Sequence, residues 1–145
     1  MVKNRSMMDA PVIPVLVYED VNVAAAWLKA AFGFRVRLQI GEHRVQMHAG
    51  GGCVVLRELR PGEEPMKPGP TGLRLGQSVT VRMEDVDGHC RRARQHGARI
   101  VHEPETYAYG ERQYTAEDFA GYTWMFSESV ADVVPEEWGG TSVEL

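Results

Sequence analysis

Two stretches of this chain carry the same punctuation. Residues 17–36 read VYEDVNVAAAWLKAAFGFRV, and residues 82–101 read RMEDVDGHCRRARQHGARIV. Each holds Glu-Asp-Val, then Asn or Asp, then about three turns of helix-compatible sequence, then glycine and a new strand-like run. Gly33 and Gly97 follow Asp20 and Asp85 at 13 and 12 residues. Two copies are too few for a solenoid, so the repeat constrains the chain to a pseudo-twofold domain.

A short strand precedes each copy: VIPVLVY before Asp20 and QSVTVRM before Asp85. The second alternates, with Val79, Val81 and Met83 on one face and Ser78, Thr80 and Arg82 on the other. Asp20 or Asn22 can cap the first helix, and Asp85 or Asp87 the second, by accepting from an orphan amide. The periodicity places Val23, Trp27, Ala30 and Ala31 on one face of the first helix. In the second it places Val86, Cys90 and Ala93 together, with Arg91, Arg92, Arg94 and Gln95 toward water. Gly33 and Gly97 stand where a left-handed C-terminal cap favours glycine.

Three strand-like runs follow each helix, so each half reads strand–helix–strand–strand–strand. The expected boundaries are 11–58 for the first module, 59–76 for a Pro/Gly-rich linker, 77–129 for the second module and 130–145 for a C-terminal arm. Trp138 is expected to dock that arm. At 145 residues the chain is one domain with room for a real core. Its net charge of −4, with basic residues scattered among acidic ones, gives no nucleic-acid surface. No run is long enough to span a bilayer, and Cys53 and Cys90 are too few for a disulfide framework. The reading is a cytoplasmic protein with reduced thiols.

VIPVLVYEDVNVAAAWLKAAFGF is similar to the opening strand, Asp, helix and Gly-Phe of the vicinal oxygen chelate superfamily. YGERQYTAEDFAGYTWMFSES resembles its closing hairpin, in which an Asp-x-x-Gly turn, here Asp118 to Gly121, leads into the last strand. That superfamily includes glyoxalase I, extradiol dioxygenases, fosfomycin-resistance enzymes and bleomycin-binding resistance proteins. The resemblance covers nearly the whole chain. It implies an α+β fold of two tandem βαβββ modules pairing into an eight-stranded cup, with helices outside.

Metal-using members place His or Glu on the cup face of the first and last strand of each module. The resemblance carries those positions to Ile13, Ser78 and Met125, with Glu58 as the match on the fourth strand. An isoleucine cannot hold a hard cation, and Ser and Met are poor ligands for one. The implied branch is therefore metal-free, with no metal and no cofactor.

Other chemistry is weakly signalled. His43 and His48 point to opposite faces of a strand, His89 and His96 lie on an arginine-rich helix, and His102 lacks a third ligand. Neither Cys53 nor Cys90 has a sequence neighbour that clearly marks it as an activated nucleophile, and the glycines at 50–52 precede a strand, so they make a hairpin turn and not a phosphate cradle.

By parity Thr123, Met125 and Ser127 face the cup while Trp124 and Phe126 face the helices. Tyr107, Tyr109, Arg112 and Tyr114 fall on or beside the preceding hairpin, near the cup's mouth. Ile13, Val15 and Val17 give an apolar wall, and Ser78, Thr80 and Arg82 a polar one. A guanidinium in that position pairs with Glu58 or with a ligand's negative group. The expected ligand-binding set is Ser78, Thr80, Arg82, Arg112, Tyr114, Thr123, Met125 and Glu58, with no catalytic residue. The expected function is metal-independent capture of a planar or anionic small molecule by a homodimer, with no nucleic-acid or membrane partner. The alternative is a glyoxalase-like lyase or isomerase, or a dioxygenase, with a non-standard metal site.

Overall fold

The computed structural model describes residues 1–65 and 77–145, so part of the expected linker, 66–76, lies outside the described residues. The first module runs β1 (Val15–Tyr18), α1 (Val21–Phe32), β2 (Arg35–Ile40), β3 (Arg44–Ala49) and β4 (Gly52–Glu58). The second runs β5 (Val79–Arg82), α2 (Val86–Gln95), β6 (Arg99–Thr106), β7 (Glu111–Glu117) and β8 (Thr123–Ser129). The sheets have orders β1-β4-β3-β2 and β5-β8-β7-β6, each with its first strand parallel to its last. The α+β architecture of two repeated modules is thus the observed one. Among the described residues, no helix is long and apolar enough to cross a membrane.

Helix placement follows from the caps. Asp20 accepts from the amides of Asn22 and Val23, and Asp85 from that of Gly88. Gly33 and Gly97 adopt φ of +73° and +87°, as their positions after the helices require. In α2 the buried residues are Val86, Cys90 and Ala93, as the periodicity indicates. In α1 they are Val21, Ala24, Ala25, Leu28, Ala31 and Phe32, which corrects the expected stripe. The stripe starts at Val21, directly after the cap, and that phase leaves Val23 56% exposed.

The sheets meet through their helix-covered faces. Phe32, ending α1, lies 4.8 Å from the Phe126 ring of β8, and Phe34 lies 5.3 Å from Trp124. One apolar cluster therefore serves both modules, and the opposite, open face of each sheet turns away from it. Val81 joins the cluster, with Val79 and Met83 packed against it.

Polar bonds fix the join. Asp118, 2% exposed, accepts from the amides of Ala120 (2.9 Å) and Tyr122 (3.0 Å), the Trp124 indole (3.0 Å) and the Tyr18 hydroxyl (2.7 Å). Burial raises its pKa above the ordinary carboxylate value, against the pull of those donors. The Tyr122 hydroxyl donates to the Val17 carbonyl and accepts from the Val17 amide, both at 2.9 Å, satisfying an edge of β1. The helices cap each other: Trp27 Nε1 donates to the His96 carbonyl and Arg92 Nε to the Ala30 carbonyl. Trp27 and Arg92 each stand seven residues after their cap aspartate, so the repeat places these donors symmetrically.

His89 adds a further link. Its ring lies 4.2 Å from the Phe126 ring, with Nδ1 2.5 Å from the Tyr114 hydroxyl and Nε2 2.9 Å from the Phe32 carbonyl. The carbonyl can only accept, so Nε2 carries a proton, and in the neutral ring that burial favours Nδ1 accepts from the Tyr114 hydroxyl. Burial lowers its pKa from 6.5. This is not the solvated helix histidine that the arginine-rich sequence around it suggests.

Two outcomes are expected. Asp118→Asn sets an NH2 group against at least one obligate N–H donor in either amide orientation, since only the Tyr18 hydroxyl can turn to accept, and should cost about 2–4 kcal/mol in urea unfolding. For His89 the unfolded chain binds a proton near pH 6.5 while the folded ring stays neutral. Its contribution is complete above that pH and is lost as pH falls toward the depressed folded value. Unfolding curves from pH 7.5 to 5 should show this loss, and His89→Gln should flatten it.

Candidate functional site in the second sheet

The register of the second sheet gathers a polar wall on its open face. Thr80 pairs with Met125 and Arg82 with Ser127 on the parallel side. On the antiparallel side Glu111 pairs with Ser129, Gln113 with Ser127, Thr115 with Met125 and Glu117 with Thr123. Paired residues share a face, opposite Trp124 and Phe126.

These side chains form a connected chain of bonds. Arg82 Nη2 donates to Ser129 Oγ at 2.6 Å. Ser127 Oγ donates to Glu111 Oε1 at 2.7 Å and accepts from Gln113 Nε2 at 3.0 Å. The Tyr109 hydroxyl donates to Gln113 Oε1 at 2.7 Å. Hydrogen bonds from Ser129 and Ser127, with the Arg82 charge, hold the Glu111 pKa below its ordinary value against the opposing effect of burial. The Tyr109 ring stacks on Tyr107 at 5.4 Å and meets Trp138 at 5.3 Å. Trp138 thus docks the C-terminal arm, just after the short helical turn Pro135–Glu137, while remaining 44% exposed.

A cavity of about 720 Å³ opens where β5 and β8 end, lined by Arg82, Met83, Glu84, Asp85, Ser127, Glu128 and Ser129. Two lining carboxylates face backbone amides of α2: Asp85 accepts from Gly88 and Glu128 from Val86. The helix N-terminus offsets part of their charge. Among the described residues no carboxylate comes within ion-pairing distance of Arg82. Deeper on the same face, Glu117 is 1% exposed and takes a 2.7 Å bond from Arg99, while buried Thr123 Oγ1 has no partner among the described residues.

The structure brings Thr80, Arg82, Thr123 and Met125 to one face, with Ser78 exposed just before β5. Three expected residues lie elsewhere. Tyr114 is 1% exposed in the core, and burial pushes its phenol pKa up. Arg112 has the same parity as Tyr114, and it bonds Asp87 of α2 through Nε and Nη2 and Thr106 through Nη1. The β7 register puts odd-numbered residues on the open face, which the hairpin's sequence does not disclose. Glu58 pairs with Tyr18, a core residue, and so carries the helix-side parity.

The register of the fourth strand bears on the positions that the resemblance gives to a cation's ligands. Val15 and Thr80 both stand five residues before a cap aspartate, and they pair with Val55 and Met125. The first-module counterpart of Met125 is therefore Val55, not Glu58. Ile13, Val55, Ser78 and Met125 do not fit a hard divalent cation. Among the described residues, no group of three His, Cys, Asp or Glu side chains could hold a metal ion.

Sequence and fold comparisons agree with this architecture. TioX from Micromonospora sp. ML1 is 31% identical, with 86% of this chain and 100% of that one covered and a TM-score of 0.66. The fosfomycin resistance protein FosX from Listeria monocytogenes is 14% identical, covering 84% and 94%, with a TM-score of 0.62. A glyoxalase/bleomycin resistance protein from Streptomyces sp. CB03234 is 21% identical, covering 79% and 96%, with a TM-score of 0.59. No curated protein is a significant match. Residues 12–126 match the Glyoxalase/Bleomycin resistance protein/Dioxygenase superfamily, and with its paired βαβββ modules the chain belongs to that superfamily.

Proposed function

We propose that this protein binds a planar small molecule bearing an anionic or strongly accepting group, without a metal, on the open face of its second sheet. The observation that carries this reading is the wall running from Arg82 through Ser129, Ser127 and Gln113 to Tyr109 and Trp138. At one end is the Arg82 guanidinium, held by a hydroxyl and by no carboxylate among the described residues, suited to an anion or carbonyl oxygen. At the other are exposed aromatic surfaces suited to a flat ring. The cavity between the strand ends and α2 has the size of a small-molecule site.

Family membership and the FosX likeness are compatible with a resistance or sequestering role. The donor set supports metal independence: two aliphatic side chains, a thioether and a hydroxyl stand where His and Glu would be needed. The reading includes a homodimer. The open face of the first sheet is taken by the chain's own Arg5, Ser6 and Met7 carbonyls, which accept from Arg37 and Gln46, so the second-sheet faces, turned away from the shared core, are the ones two copies can set together around a cleft.

Anilinonaphthalene sulfonate, an aromatic anion with a flat naphthalene ring, is expected to bind saturably and to be recovered unchanged. Arg82→Ala should weaken it about tenfold, the worth of one charge-assisted hydrogen bond. Trp138→Ala should weaken it several-fold. Equal affinity in all three proteins would contradict the placement of the site. Melting curves with Ni²⁺, Mn²⁺, Zn²⁺ or a chelator should superimpose, whereas a melting point lowered by chelation would overturn the metal-free assignment.

A further inference from the structure

The glycines at 50–52 join β3 to β4, yet they are not equivalent. Gly52 begins β4, and a Cβ there would meet the Ala49 carbonyl oxygen at an ordinary 3.6 Å. A Cβ on Gly51 would have nothing within 4 Å. Gly50 differs on two counts. Its φ is +59°, the left-handed first residue of a tight turn between the paired Ala49 and Gly52. A Cβ on it would also lie 2.9 Å from the Arg82 carbonyl oxygen and 3.0 Å from Val81 Cγ1. The turn of the first module thus sits directly against the end of β5 in the second.

β5 is a short edge strand of four residues, hydrogen-bonded among the described strands to β8 alone. On that side the Met83 amide donates to the Ser127 carbonyl at 2.9 Å. The Gly50 turn abuts the carbonyl of the preceding residue, Arg82. We propose that Gly50 is a positioning residue for Arg82: the missing Cβ lets the turn seat against the Arg82 main chain, and this contact fixes where the guanidinium stands. The inference rests on the reading that Arg82 holds the ligand's accepting group. With a side chain at position 50, the Arg82–Met83 peptide must rotate or the turn must withdraw, because close-packed main chain has no slack to absorb the overlap. Either change lets the strand end shift, and the long arginine side chain carries the shift to the 2.6 Å bond between Nη2 and Ser129 Oγ. The first module therefore helps to build a site whose described lining residues all come from the second.

Two matched probes test this: anilinonaphthalene sulfonate, and N-phenyl-1-naphthylamine, which has the same rings without the sulfonate. Gly50→Ala should weaken the sulfonate probe several-fold, within the roughly tenfold loss expected of Arg82→Ala, and leave the neutral probe unchanged. Gly50→Asn, which tolerates a left-handed φ but carries the same Cβ, should do likewise. Two controls should bind both probes as the parent chain does. Gly51→Ala adds a Cβ in open space, and Gly97→Ala adds one at a φ of +87° with nothing within 4 Å. In an Arg82→Ala background, Gly50→Ala should have no further effect on the sulfonate probe. The Trp124 indole NMR signal reports that each variant is folded. Equal loss for both probes, a loss that persists without Arg82, or failure of both Gly50 variants to fold would leave Gly50 a merely structural role and overturn the inference. So would an unchanged sulfonate affinity in the folded Gly50 variants while Arg82→Ala weakens it. Sulfonate affinity unchanged by Arg82→Ala would instead overturn the site reading on which the inference stands.

Discussion

The architecture depends on one buried carboxylate. Asp118 directly follows β7, shapes the turn into β8 through the Ala120 and Tyr122 amides, and anchors Trp124. It also reaches into the first module through Tyr18. A single charge therefore sets the register of β8 and ties the modules together. That register decides which side chains of β8 face the helices and which face outward. Trp124 and Phe126 go to the shared core, and Thr123, Met125 and Ser127 to the open face. Burial opposes ionisation, but four donors converge on the group, an arrangement that works only as a complete set.

Much of this was legible in the chain. The doubled Glu-Asp-Val, the two left-handed glycines and the alternation of QSVTVRM and YTWMFSE follow from local rules, and the structure shows the expected caps and faces. The phase of α1 was less accessible. Val21 and Val23 are equally apolar, and only packing against the sheet selects Val21.

The candidate site was partly legible. Thr80, Arg82, Thr123 and Met125 share a face because a strand alternates whatever surrounds it. Tyr114 and Arg112 could not be placed in that way, since β7 takes its parity from its pairing with β8 across a turn of undetermined length. Glu111 and Gln113 were missed for the same reason, and Glu58 was misassigned because three residues along a strand reverse the face. The Arg37–Gln46 pair was invisible to periodicity, because an irregularity in β2 aims Arg37 across the sheet. His89 looked solvated from its arginine neighbours, yet it links the two halves.

Two outward faces of different chemistry result. The second sheet offers hydroxyls, the Arg82 guanidinium and an aromatic end, while on the first the donors of Arg37 and Gln46 are taken by the Arg5, Ser6 and Met7 carbonyls. The most direct test of the account is amide chemical-shift mapping with anilinonaphthalene sulfonate. The account predicts that perturbations converge on Thr80, Arg82, Gln113, Ser127 and Trp138. Perturbations centred instead on Asp87 and Arg112, across the sheet on the helix side, would contradict it.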